Sequence, residues 1–140
     1  RPTIQARTEP RVAPWNPRSI VYAAFFGGPL AATVLGVLNV RRLAAGPAAA
    51  AAILAAGVAA IGARFGIAAT MGERPGAQIA RGLCGVAVWG VVMLVQKRPF
   101  RVWSLAHERD HASLLWPGLA AAIGCGVLEY AAILLLLGAV

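Results

Sequence analysis

The sequence predicts an all-α protein, an integral membrane bundle of four transmembrane helices with a short interfacial segment between the third and fourth. Three observations predict it. Residues 114–140 carry a single charged side chain, Glu129, over 27 residues, more than the roughly 20 apolar residues that a helix needs to cross a hydrocarbon core. Three further apolar runs precede that one. Hydrophobic residues make up 59% of the chain and charged residues only 13%, where soluble domains carry about a quarter. At 140 residues there is room for one membrane domain and no separate soluble lobe.

The net charge of +8 raises nucleic acid as a partner, so the placement of the basic residues matters more than their sum. They sit at the ends of the apolar runs. Arg41, Arg42, Lys97, Arg98 and Arg101, together with Trp103, are expected to contact lipid headgroups. No single basic face or reading motif is present, so the bilayer is the expected partner and nucleic acid is not.

Residues 1–17 hold four prolines and read as an extended polar arm, ahead of a single four-span domain over residues 18–140. The first span is expected at 19–40. Gly27, Gly28 and Pro29 stand at its middle, where proline removes a backbone donor and clashes with the preceding turn, so a helix kink is expected there. A sharper alternative is a broken helix whose exposed backbone binds an ion or substrate.

Pro47 suits the first turn of a second span, 47–70. Its Ala52, Ala56, Ala60, Gly62 and Gly66 form small-xxx-small spacings, which place it inside the bundle or against a partner. The third span is expected at 79–95 and is the shortest, with Arg81 snorkelling from it and Trp89 packed within the bundle. Residues 96–113 mix Phe100, Val102, Trp103 and Leu105 with basic side chains, as an interfacial segment does. The fourth span covers 115–140. Counting basic residues on alternate sides gives seven against six, and the weight of the first helix then puts both termini in the cytoplasm.

Two constellations carry chemistry. His107, Glu108 and His111 match H-E-x-x-H, which resembles the zinc metalloprotease signature, in which two histidines share a helix face beside a glutamate general base. Arg109 and Asp110 depart from its usual apolar and uncharged positions, and Glu129 is too far along the chain to serve as third ligand. At most a weak metal site at His107 and His111 follows. The second is Glu129, whose charge inside a span calls for a partner. Arg64 is the natural one. In an up-down bundle the second and fourth spans run the same way, and the two residues differ in depth by about 6 Å at helical rise.

The stretch from Arg18, Ser19 and Ile20 through Phe26-Gly27-Gly28-Pro29-Leu30 to Asn39, Arg41, Arg42 and Leu43 resembles the opening helix of a group of uncharacterised small bacterial membrane proteins. That resemblance implies a bacterial membrane and no assigned activity, and the inner membrane is the expected location. The expectation is a non-catalytic accessory subunit, without cofactor, that packs in a larger membrane complex or a homo-oligomer. The alternatives are a small transporter or channel centred on Glu129 and Arg64, and a membrane zinc hydrolase.

Overall fold

The computed structural model describes residues 12–72, 74–106 and 111–138. It is an all-α bundle of four helices, each long and apolar enough by composition to cross a membrane. A 3₁₀ turn, Pro17–Ser19, leads into α1 (Ile20–Leu43), followed by α2 (Pro47–Met71), α3 (Pro75–Ala106) and α4 (Leu115–Gly138). The expectations for residues 1–11, His107 and Glu108 lie outside the described residues.

The central helix is α1. In its most apolar stretch 61% of the residues are buried, against 11%, 22% and 11% in α2, α3 and α4. The interruption expected around Gly27, Gly28 and Pro29 falls at Gly28 and breaks the helix outright. Gly28 adopts φ 74° and ψ −170°, a backbone conformation that only glycine enters without strain. The helix therefore ends at Gly27. Pro29 is the first residue of a new one, where its fixed φ is suitable and its missing N–H costs nothing. The Thr33 hydroxyl donates to Pro29 O at 2.7 Å and closes that first turn.

The two arms of α1 fold back on one another. On the entering arm, the Trp89 indole of α3 donates to Pro17 O at 3.1 Å, and Gly85 of α3 abuts Ala24 O. On the returning arm, the same Gly85 abuts Gly28, Val92 lies on Gly36, and Gln96 donates to Gly36 O at 2.7 Å. Both arms thus lie along residues 85–96 of α3, and the chain leaves α1 at the end where it entered. Eleven residues separate Gly28 from Asn39, so the fold-back reaches about 16 Å into the bundle. On α3, Gly85 stands about 15 Å from the Pro75 end and about 16 Å from Gln96, which puts the tip at mid-depth.

α2, α3 and α4 each run past that tip. Ile53 of α2 lies on Gly36, Gly57 on Thr33 and Arg64 beside Gly28, antiparallel to the returning arm. α4 starts beside the amino-terminal segment, where Ala112 N donates to Pro14 O at 3.1 Å, and meets Gly27 through Ala122. Trp15 and Gly138 therefore lie at opposite ends of the bundle.

The inward stripes of α2 and α3 share one spacing. On α3 they are Ala77, Arg81, Gly85, Val88, Val92 and Gln96. On α2, Ala49, Ile53, Gly57 and Ala68 are buried, with Ala60 and Arg64 partly so between them. That is one face of a helix read at steps of three and four. Ala52, Gly62 and Gly66 are exposed instead, so α2 lies outside α1 and not within the bundle. Arg81 is likewise buried, at 7% exposure, its Nε donating to Ala77 O, and does not snorkel.

The third helix is the longest and not the shortest. At 32 residues it spans about 48 Å, beyond the roughly 30 Å of a hydrocarbon core. The amphipathic segment that begins at Lys97 continues α3 as helix to Ala106, with Pro99 inside it.

Candidate functional site

The fold-back brings together two features that the sequence presents far apart. Glu129, 5% exposed, reaches from α4 to the Gly28–Pro29 break, where Oε1 accepts from Leu30 N at 2.7 Å. Leu30 is in the first turn of the returning arm, whose leading N–H groups have no carbonyl before them. A carboxylate there satisfies an orphan donor and opposes the positive end of the helix dipole. The other oxygen, Oε2, pairs with Arg64 Nη1 from α2. One acidic side chain thus pins three helices at one point.

The geometry explains Gly28 twice over. A Cβ at that position would run into the Arg64 guanidinium and Glu129 Oε2, besides suffering the positive φ. Arg64 Nε and Glu129 Oε2 are buried, and neither has a well-aligned hydrogen-bond partner among the described residues, although Oε2 lies within ion-pair range of the guanidinium. A buried pair of this kind costs desolvation on both sides, and the helix terminus offsets part of it for the carboxylate.

A second polar cluster closes the open end of the fold-back. Trp15 N donates to Asn39 Oδ1 at 2.8 Å, Asn39 Nδ2 donates to Trp15 O at 3.0 Å and to Gln96 Oε1 at 2.7 Å, and Gln96 Nε2 donates to Gly36 O. Asn39 and Gln96 are fully buried, and every amide atom of the pair has a partner. Arg42 lies over the Trp15 ring, 3.8 Å from its centroid, and donates to Ala13 O. Sequence reasoning read Asn39 and Gln96 as span boundaries. The missed signal is that two amides at the ends of apolar runs need partners as much as a charge does.

The remaining expected residues stay apart from the tip. Arg41, Lys97, Arg98 and Arg101 are exposed at the Asn39 end, where Trp103 stacks on Phe100 at 6.2 Å. His111 is exposed at the same end. Among the described residues no group of three His, Cys, Asp or Glu side chains could hold a metal ion. Cys84 and Cys125 are free thiols, each partly buried on its own helix.

A largely apolar four-helix bundle with a charged pair inside it has the make-up of a multi-pass membrane protein. No family model, no curated protein and no solved structure matches the chain.

Proposed function

We propose that this chain is a non-catalytic accessory subunit of a bacterial inner-membrane complex, and that it joins its partner through the outward face of α2. The observation that carries this reading is a contrast between two exposed faces. α4 turns outward Leu115, Trp116, Leu119, Ile123, Leu128 and Leu135, large side chains suited to lipid. α2 turns outward Ala52, Ala55, Ala59, Gly62, Ala63 and Gly66, and its exposed large side chains are Leu54, Val58 and, at its end, Met71. Without a hydrophobic force between helices in lipid, close backbone approach over small residues drives association, so the smooth face fits a second helix.

Gly62 offers the test, because nothing lies within 4 Å of a Cβ placed there. Gly62→Leu leaves the chain's own packing intact and blocks the face. Native mass spectrometry of the detergent-extracted protein is expected to show a complex that Gly62→Leu dissociates. A lone monomer for both forms overturns the reading.

In the proposed membrane, α2, α3 and α4 cross while α1 enters and returns from one side. Orientation follows from the positive-inside rule. Arg18, Arg41, Arg42, Lys97, Arg98 and Arg101 stand at the Asn39 end, and Arg74 and Arg81 are the described basic residues toward the other. The Asn39 end therefore faces the cytoplasm and the end of α4 faces outward. The earlier near-balance arose because a straight first span assigns Arg41 and Arg42 to the side opposite Arg18.

A second reading, a small transporter or channel, is favoured by the convergence of Glu129 and Arg64 on a broken helix at mid-depth, an arrangement seen where membrane proteins bind ions or substrates. It predicts a reconstituted flux that Glu129→Gln abolishes. Flux that is absent, or unchanged by that substitution, removes it.

A further inference from the structure

Between the entering arm of α1 and the first half of α4 lies a cavity of about 560 Å³, within the range of small-molecule sites. We infer that it holds one acyl chain of an anionic phospholipid, with the headgroup at its mouth. The lining is graded along the depth of the bundle. Ser19, His111 and Ser113 stand at the mouth, at the Asn39 end, while Tyr22, Phe26 and Leu119 form the walls further in. The floor is the contact of Gly27 with the Ala122 backbone, where the two helices touch. From Ser19 to Phe26 is about 10 Å of helix, most of one leaflet's hydrocarbon depth.

A lipid anchored at the interface presents the same order, head outside and chain within. The mouth also has the sign of charge that an anionic head requires. Arg18 is exposed beside Ser19, and Arg42 lies at the same end. α1 and α4 both begin there, which adds the positive ends of two helices. Tyr22 and Phe26 are 70% and 74% exposed, so two rings line a wall that no other described residue covers. A basic, hydroxyl-bearing rim above an apolar slot matches a phospholipid.

The experiment is native mass spectrometry of the full chain from mixed micelles containing phosphatidylglycerol or phosphatidylcholine. Wild-type protein is expected to retain one phosphatidylglycerol in preference to phosphatidylcholine. Leu119→Trp fills the slot and is expected to weaken retention of both about tenfold, whereas Leu134→Trp, on the outward face of α4 beyond the slot, leaves it unchanged. His111→Ala with Ser19→Ala is expected to erase the preference for phosphatidylglycerol and keep the chain bound. Equal retention by wild type and Leu119→Trp overturns the site. An equal preference in the His111→Ala/Ser19→Ala form overturns the headgroup assignment. Circular dichroism of each variant checks that helix content is kept, and Tyr22→Trp provides a second occluding variant if Leu119→Trp fails to fold.

Discussion

Trp15 and Asn39, 24 residues apart in sequence, exchange two hydrogen bonds, backbone N–H to side-chain oxygen and side-chain amide to backbone oxygen. A straight helix between them would hold them more than 30 Å apart. Their contact closes the fold-back of α1 and, through Gln96, fastens it to α3.

Asn39→Leu removes the partner of both Trp15 backbone groups and leaves Gln96 Oε1 without its donor. Each stranded buried group costs about 1–3 kcal/mol. Thermal unfolding in detergent is expected to fall clearly for Asn39→Leu and for Gln96→Leu, and the double variant is expected to lose less than their sum, since the two share one network. Additive losses contradict a shared network.

Gly28→Ala is expected to destabilise by about 1–2 kcal/mol from the positive φ alone, and further because the new methyl displaces the Arg64 guanidinium. Gly62→Ala, facing open space, is expected to be neutral or slightly stabilising. The same unfolding assay compares the two, and equal effects contradict the tip geometry.

Arg64→Met leaves the buried Glu129 carboxyl held only by Leu30 N, a loss on the order of 3 kcal/mol. Arg64→Met combined with Glu129→Gln removes both charges while the amide oxygen still accepts from Leu30 N. That double variant is expected to recover most of the stability. A double variant as unstable as Arg64→Met contradicts the ion pair.

How much of this was legible before the structure divides along physical lines. Helix existence follows from apolar length, and Pro47 and Leu115 mark real starts because proline and the interfacial turn act locally. The pairing of Arg64 with Glu129 is readable because rise per residue fixes relative depth on two helices that run the same way. The fold-back of α1 is not readable from hydropathy, since two half-length arms have the composition of one full crossing. Gly28 signals it only together with its neighbours, because glycine before proline permits both a kink and a reversal. Whether the small-residue face of α2 lies inside the bundle or against a partner stayed open for a related reason. Alanine and glycine mark close approach on either helix without saying whether the approaching partner belongs to the same chain.

The central claim is that α1 enters and leaves the membrane on one side, and thiol accessibility tests it most directly. In a background with Cys84→Ser and Cys125→Ser, single Val12→Cys, Ala48→Cys and Gly76→Cys variants, all at exposed positions, are treated with a membrane-impermeant maleimide in sealed vesicles of each orientation. The fold-back predicts that Val12→Cys and Ala48→Cys label from the same side, and Gly76→Cys from the other. Labelling of Ala48→Cys from the side opposite to Val12→Cys would contradict it.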